Sequence, residues 1–188
     1  MHSRSGLRRG KPTLILIILQ VTALLAISGC QTRPSEEKVA TGVEVGQAFC
    51  SFELKNLEGQ KKTLEDFLAQ VTLVCFAFPT CGPCNAELPH FQRFDEAYSA
   101  KGLAVVAINV IPEQDHLVED WSVERGFGFP ILVGAESGQL IEDYQLVATP
   151  LSFLLDSEGR VLARFDGYHP GQEEEIEGMI RRELGAGS

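Results

Sequence analysis

Two cysteines separated by two residues, Cys81 and Cys84, carry the clearest chemical signal in the sequence. They come directly after the apolar run 71–78 and begin an amphipathic segment. One face of that segment carries Leu88, Phe91, Phe94 and Tyr98. A strand that leads into a helix here would place the first thiol beside the free backbone N–H groups of the helix start, which stabilise a thiolate. Because the second thiol lies one turn further on, the spacing predicts a redox-active dithiol that can close into a disulfide.

Two other interpretations of this pair are a structural zinc site and an inert structural disulfide. Zinc needs four ligands, normally from a second closely spaced pair of cysteines or histidines. The remaining candidates are single residues scattered along the chain: Cys30, Cys50, Cys75, His2, His90, His116 and His169. The sequence therefore favours the redox pair over both alternatives. We expect no metal site and no cofactor other than the redox-active disulfide itself.

Residues 1–29 have the pattern of a bacterial lipoprotein signal peptide. Four basic residues precede an apolar run at 14–27, and the segment ends in Ile27-Ser-Gly-Cys30, which resembles a lipobox. An uncleaved membrane helix is the alternative, but the run is shorter than the about 20 residues that span a bilayer. We therefore expect lipidation at Cys30 and an extracytoplasmic protein anchored to a bacterial membrane. Gln31, in place of aspartate, favours the periplasmic face of the outer membrane where the host has one.

The charge of the mature chain excludes several classes of partner. The full sequence has a net charge of −10, and the four basic residues ahead of Cys30 would leave with the signal peptide. Of 16 basic residues 12 then remain against 26 acidic ones, a net charge of −14. Such a surface repels nucleic acids and anionic headgroups, so we expect no nucleic-acid partner. Contact with the lipid bilayer would depend on lipidated Cys30.

The mature chain divides into a tether and one folded domain. Residues 30–45 are polar and predict a flexible tether, and residues 46–188 suffice for one domain with a single core. In that domain the pattern predicts hairpins at 52–63 and 151–165, strands at 71–78, 103–110 and 129–133, a short helix ending at 68, and helices after Cys81 and at 113–125, 138–145 and 172–184. This alternation predicts an α/β fold with a mixed central sheet.

Several motifs in this order resemble one known group of proteins. They are the stretch 46–52, Cys81-Gly-Pro-Cys84, Ala86-Glu-Leu-Pro89, the strand 104–110, Ala148-Thr-Pro150 and the stretch 153–159. Over residues 46–184 the chain resembles the TlpA/ResA branch of the AhpC/TSA-redoxin superfamily, which are membrane-tethered thiol–disulfide oxidoreductases that work outside the cytoplasm. The resemblance implies a thioredoxin fold, with a mixed central β-sheet flanked by helices and an N-terminal β-hairpin extension.

The resemblance and the chemistry of thiols assign the same roles to the cysteine pair. Cys81 is expected to be the nucleophile that attacks a substrate disulfide, and Cys84, deeper in the first turn, would resolve the mixed disulfide. Pro83 presets the backbone for a helix start, and Gly82 keeps the approach to the sulfur open. Pro89 should lie inside the helix and kink it. The alternative is that the helix ends at Leu88.

Thr149 and Pro150 form the second part of the expected site. The resemblance implies a cis peptide bond at Pro150, packed against the cysteine pair, although most X-Pro bonds are trans. The backbone of Thr149 would pair with an extended segment of the substrate. Thr80 stands beside the nucleophile where the family usually has tryptophan, so the choice of partner cannot be carried over from the family.

The chain also departs from thioredoxins in how it would handle the proton of the deeper thiol. Cys75 occupies the strand position where thioredoxins carry a buried aspartate, and a thiol is a poor proton acceptor at neutral pH. Glu113, just after the next strand, is the candidate acceptor, with an ordinary acidic helix start as the alternative. The simplest interpretation of Cys75 itself is a small buried hydrophobic residue. Cys50 has no assigned role, and pairing of Cys50 with Cys75 is left open.

Together these features predict a membrane-anchored thiol–disulfide oxidoreductase that reduces protein disulfides. The Cys-Gly-Pro-Cys motif matches thioredoxin, a reductant with a potential of about −270 mV, rather than the oxidant DsbA at about −120 mV. The resemblance implies a membrane electron donor of the DsbD/CcdA kind, and clients such as apocytochrome c during cytochrome c maturation. A peroxiredoxin-like peroxidase and a Sco-like copper chaperone are the alternatives. The spacing of the cysteines and of Pro79-Thr80 fits neither pattern well.

Overall fold

The computed structural model describes residues 41–136 and 138–185. The predicted signal peptide, Cys30 and most of the predicted tether lie outside the described residues. Among the residues that are described, no helix is both long enough and apolar enough to cross a membrane.

A five-stranded mixed sheet forms the centre of the molecule. The described residues contain nine strands in chain order: β1 Thr41–Gly42, β2 Ala48–Phe49, β3 Glu53–Lys55, β4 Lys61–Thr63, β5 Val71–Ala77, β6 Leu103–Asn109, β7 Ile131–Leu132, β8 Leu151–Asp156 and β9 Val161–Asp166. The central sheet has the order β7-β6-β5-β8-β9, with β5, β6 and β7 parallel and β8 and β9 antiparallel to their neighbours. This arrangement confirms the predicted mixed α/β sheet.

The helices cover both faces of that sheet. They are α1 Gly82–Tyr98, α2 Asp115–Arg125, α3 Gln139–Asp143 and α4 Gln172–Glu183. Successive side chains of a strand point to opposite faces, so Leu73 and Cys75 of β5 pack with α1, α2 and α4, whereas Val74 and Phe76 pack with the β3–β4 hairpin and α3. Strand β5 is buried along its whole length, as its continuous apolar sequence predicts for a sheet covered on both sides.

The helix that follows β5 continues through Pro89 to Tyr98. Its buried face consists of Cys84, Glu87, Leu88, Phe91, Phe94 and Tyr98. The alternative ending at Leu88 is therefore wrong. The apolar side chains of the last three turns hold the helix on the sheet, so the loss of one backbone hydrogen bond at proline is offset by packing.

The N-terminal part of the described chain is more ordered than the sequence predicts. Strands β1 and β2 form a short parallel pair, and Val43 between them is only 1% exposed. The backbone N–H of Gly46 donates to the carbonyl of Val161 at 2.8 Å. Residues 41–45, which the sequence analysis assigned to the tether, therefore belong to the folded structure, because Val43 offers an apolar side chain that the core can bury.

Candidate active site

The two cysteines at the start of α1 form a disulfide, with their Cα atoms 5.2 Å apart. Cys81 is the N-cap residue of the helix, and the backbone N–H of Cys84 donates to the Cys81 Sγ at 3.1 Å. Cys81 is 4% exposed, whereas Cys84 is fully buried. The sulfur nearer the solvent therefore receives both an N–H donor and the positive end of the helix, which are the two features that stabilise a thiolate.

The loop before β8 lies directly beside the outer sulfur. The Thr149–Pro150 peptide bond is cis, as the resemblance implies. The Thr149 Oγ1 lies 3.6 Å from the Cys81 Sγ, so the hydroxyl can donate a hydrogen bond to the sulfur. The loop is fixed from its other side, because the N–H of Gly167 donates to the Pro150 carbonyl at 2.7 Å.

Three residues predicted to contact substrate, Thr80, Gly82 and Pro83, are exposed around Cys81. A Cβ atom added at Gly82 would meet no heavy atom within 4 Å, so the approach to the sulfur is open there. Thr80 is held by Gln114, whose amide nitrogen donates to the Thr80 hydroxyl at 3.0 Å and whose amide oxygen accepts from the Thr80 N–H at 3.3 Å. Gln114 thus orders the residue that replaces the family's tryptophan.

Asn85 connects the cysteine loop to α2. Its side-chain amide donates to the carbonyls of Pro79 and Cys81, both at 2.9 Å, and its Oδ1 accepts from the indole N–H of Trp121 at 2.8 Å. Trp121 is 6% exposed. A single asparagine therefore fixes the carbonyl groups on both sides of Thr80 to a rigid element.

A buried carboxylate, Glu87, lies one turn beyond Cys84 on the inner face of α1. Its Oε2 accepts from the Ser152 hydroxyl at 3.0 Å and lies 3.7 Å from the Cys75 Sγ. Its Oε1 has no partner among the described residues. Burial raises the pKa of Glu87 to about 7, although the Ser152 and Cys75 hydrogen bonds oppose that shift. A carboxylate with this pKa can accept and return a proton near neutral pH.

The sequence analysis missed Glu87 and selected Glu113. Glu113 is exposed on the single 3₁₀ turn Pro112–Gln114 that precedes α2, and its role as proton acceptor stays a prediction. One signal could have revealed Glu87: it lies four residues before Phe91 on the apolar side of the helix, a position at which a charged residue is unusual unless it is partnered.

The two other described cysteines lie on opposite faces of the sheet and are both free. Cys75 is fully buried, as predicted, but its thiol contacts Glu87. Cys50 is half-buried, and the Tyr144 hydroxyl donates to its backbone carbonyl at 2.9 Å. The pairing of Cys50 with Cys75, which the sequence left open, is therefore not formed.

Across the described ranges, no group of three or more His, Cys, Asp or Glu side chains could hold a metal ion.

Several known proteins with similar sequences are thiol–disulfide oxidoreductases. The family model described as "AhpC/TSA family" matches residues 45–164. The thiol–disulfide oxidoreductase ResA of Bacillus thuringiensis subsp. konkukian is 27% identical over 169 residues, which cover 90% of this chain and 92% of ResA. The sporulation thiol–disulfide oxidoreductase A of Bacillus subtilis is 30% identical over 112 residues, 58% of this chain and 67% of that protein.

Solved structures agree with this similarity. A putative thiol:disulfide interchange protein DsbE from Chlorobium tepidum is 27% identical, with a TM-score of 0.70 over 76% of this chain and 99% of that one. StoA from Bacillus subtilis is also 27% identical, with a TM-score of 0.57 over 71% of this chain and 98% of that one. The matched family model, the fold and the cysteine pair lead to one conclusion: the chain belongs to the AhpC/TSA family, as a ResA-type thiol–disulfide oxidoreductase with the thioredoxin fold.

Proposed function

We propose that this oxidoreductase is a lipid-anchored reductant of protein disulfides outside the cytoplasm. The observation that carries the proposal is the Cys81–Cys84 disulfide at the start of α1, beside the cis-Pro150 loop. The Gly82-Pro83 spacer is that of thioredoxin, whose low potential makes it a donor of electrons. The lipobox-like segment ending at Cys30 supports the anchor and the location.

The reduction of a client disulfide proceeds in two exchange steps. The Cys81 thiolate attacks one sulfur of the client, which forms a mixed disulfide and releases the client's other sulfur as a thiolate. Cys84 then gives its proton to Glu87 and, as a thiolate, attacks the Cys81 Sγ. This attack restores the Cys81–Cys84 disulfide and releases the second client thiolate. The client gains two electrons, and a membrane donor of the DsbD/CcdA kind would return two electrons to the protein.

The alignment of the client rests on the surface around Cys81. An extended client segment would pair with the backbone of Thr149, which takes part in no other backbone hydrogen bond of the described loops. Thr80, Gly82 and Pro83 would contact the residues that flank the client cysteine. Apocytochrome c and other secreted proteins with unwanted disulfides are the proposed clients.

The redox proposal is tested by the potential of the Cys81/Cys84 couple and by two variants. We expect a potential near −270 mV in glutathione or thioredoxin equilibration, and a value above about −180 mV would overturn the assignment as reductant. Cys81→Ser should abolish the reduction of insulin disulfides. Cys84→Ser should instead trap clients on Cys81 as mixed disulfides, which mass spectrometry of the trapped species would identify. Cys50→Ser is the matched control, and it should retain both the potential and the activity.

The anchor is tested separately from the chemistry. In a bacterial host, the wild-type chain should partition into the membrane fraction and carry a diacylglyceryl group on Cys30, detectable by mass spectrometry of the N-terminal peptide. Cys30→Ala should prevent lipidation and signal cleavage at this site while leaving insulin reduction by the purified domain unchanged. A wild-type chain that keeps an unmodified Cys30 would contradict the anchor and leave the redox proposal standing.

A further inference from the structure

Strands β5 and β8 place two hydrogen-bond donors opposite each other beneath α1. Cys75 and Ser152 are direct partners in the antiparallel register of these strands. Neither residue is exposed at all, and both point to the face on which α1 packs, because both contact Glu87. Cross-strand partners have Cβ atoms about 5 Å apart, so a thiol and a hydroxyl converge on one point from two strands.

Glu87 occupies that point with one oxygen only. The Ser152 hydroxyl is 3.0 Å and the Cys75 Sγ 3.7 Å from the same atom, Oε2. The other oxygen, Oε1, is inaccessible to solvent and has no partner within the described parts of the chain. Buried polar atoms are nearly always hydrogen-bonded, and an exception calls for a functional explanation. The asymmetry leaves one carboxylate oxygen with free lone pairs on the buried face of α1, the face that also carries Cys84.

We propose that Cys75 and Ser152 are positioning residues, which hold Oε2 of Glu87 so that Oε1 remains free to take the proton of Cys84. This inference rests on the proposed function, because it assigns a role in the step by which Cys84 becomes a thiolate. Glu87 and Cys84 are three residues apart on one helix and share its buried face, where side chains at this spacing are neighbours. Two donors on Oε2 restrict rotation of the carboxylate.

The thiol of Cys75 acts in this arrangement as a donor and not as a base. Burial, together with the negative charge of Glu87, raises the pKa of Cys75 well above its usual range, so the sulfur keeps its proton at neutral pH. The buried strand position that carries a carboxylate in thioredoxins therefore carries a donor here. The carboxylate is that of Glu87 on α1, and it is contacted by side chains of β5 and β8.

Other titratable groups face Glu87 from the surrounding elements. Glu173, in the first turn of α4, carries a negative charge that raises the pKa of Glu87. Tyr168, in the β9–α4 loop, donates to Glu173 at 3.0 Å, and the pKa of Tyr168 is raised first by burial and by its contact with Glu173, and least by the charge of Glu87. His90, one turn after Glu87 on α1, is 3.9 Å from Glu173. None of these groups changes in the variants below, so they do not alter the comparison.

The test follows the ionisation of Glu87 directly, in the oxidised protein. Carbon-13 NMR of glutamate labelled at the side-chain carboxyl gives a titration for each residue, and the Glu87 signal is the one lost in Glu87→Gln. Ser152→Ala removes a hydrogen bond to the charged form, so its Glu87 midpoint should move upward by about one pH unit. Cys75→Ala should shift the midpoint in the same direction by less, because a thiol is a weak donor.

Two conservative variants and one matched control separate positioning from general damage to the core. Ser152→Thr and Cys75→Ser keep a donor and should not raise the midpoint. Thr72→Val removes a fully buried hydroxyl on β5, which donates to the Phe67 carbonyl at 3.1 Å, and should lower stability without moving the Glu87 midpoint. An unchanged midpoint in both Ser152→Ala and Cys75→Ala would overturn the inference.

A kinetic measurement tests whether the ionisation of Glu87 controls the step in which Cys84 resolves the mixed disulfide. The rate at which the mixed disulfide is resolved, measured in single turnovers against a peptide disulfide, should show the same upward pH shift in Ser152→Ala. The shift should vanish when Ser152→Ala is combined with Glu87→Gln. If the wild-type protein reduced no disulfide, the proposed function would fail while the NMR titration still tested the positioning. If the wild type were active and Ser152→Ala left the resolution profile unmoved, only the inference would fail.

Discussion

At the scale of single residues, the site contains a carboxyl group, that of Glu87, which is buried away from water. Burial is the largest effect on Glu87, and it raises the pKa of this group to about 7 against an ordinary value of 4.5. Near neutral pH the protonated and ionised forms are therefore both populated, which is the condition for efficient general acid and base catalysis. Because burial disfavours the ionised carboxylate, Glu87 should also lower the stability of the fold at pH values where the group ionises.

Glu87→Gln should gain stability relative to wild type as the pH rises. Below about pH 4.5 the carboxyl is protonated in both folded and unfolded chains, so its ionisation does not affect the difference in free energy between them. As the pH rises from about 4.5 through 7, the unfolded chain loses its proton first, and the stability linked to this group falls. Between pH 4 and pH 8 the variant should gain up to about 3 kcal/mol in free energy of unfolding relative to wild type.

Urea unfolding of the two oxidised proteins at pH 4 and pH 8 measures this difference. Glu113→Gln is the matched control, because it makes the same substitution at an exposed side chain and leaves the buried carboxyl of Glu87 in place. Parallel pH profiles for wild type and Glu87→Gln would show that the buried carboxyl does not contribute the expected linkage.

At the scale of elements, the loop that leads into α1 is held in place by Asn85 of α1 and Trp121 of α2. Asn85 binds the carbonyls of Pro79 and Cys81 and is itself fixed by Trp121. The loop that presents the nucleophile therefore takes its position from the packing of two helices. A loop without these bonds would let the Cys81 sulfur move relative to Thr149.

Asn85→Ala should slow thiol–disulfide exchange without removing either cysteine. The variant loses hydrogen bonds to two loop carbonyls and leaves the buried indole N–H of Trp121 without an acceptor, so unfolding should become easier by about 2 kcal/mol. The displaced nucleophile should lower the single-turnover rate with a peptide disulfide by roughly tenfold. Both quantities are measurable by urea unfolding and stopped-flow fluorescence.

Gln92→Ala provides a control from the same helix. Gln92 also links α1 to the chain that follows α2, since its Oε1 accepts from the Gly128 N–H at 2.7 Å, but it lies away from the cysteine loop. This variant should lose some stability and keep the wild-type exchange rate. An equal loss of rate in both variants would assign the effect to helix packing and not to the loop.

At the scale of the whole molecule, the central sheet separates two clusters of buried hydrophobic residues, one on each face. The cluster on the α1 side contains the cysteine pair, whereas the other cluster joins the β3–β4 hairpin, α3 and the segment that precedes β2. Val43 belongs to this second cluster. Val43, a residue within the predicted tether, therefore contributes to the stability of the redox domain.

Val43→Ala should lower the free energy of unfolding by about 2 kcal/mol, because it removes two buried methyl groups and leaves a small cavity. Val45→Ala is the matched control, since Val45 is 66% exposed and its truncation should change stability by less than about 0.5 kcal/mol. Thermal or urea unfolding distinguishes the two. Equal effects of the two substitutions would mean that the segment before β2 does not pack as described.

The sequence allowed the framework of this molecule to be predicted with small errors in length. The strand predicted at 71–78 is observed at Val71–Ala77, and the helix predicted at 172–184 is observed at Gln172–Glu183. Both follow from apolar spacing and local stop signals, which act over a few residues. The strand predicted at 129–133 is only Ile131–Leu132, because its length is set by pairing with β6 at the edge of the sheet and not by its own composition.

The sequence by itself determined the redox chemistry, since two thiols three positions apart at the start of a helix can reach each other whatever the rest of the chain does. Only the tertiary structure shows that a buried carboxyl, Glu87, lies with Ser152 and Cys75 beneath α1. Glu87 meets Ser152 across 65 positions of sequence, and the meeting depends on β8 lying beside β5 in one register. Contacts of this kind are set by the order of strands and the packing of a helix on them, which no local pattern of residues specifies.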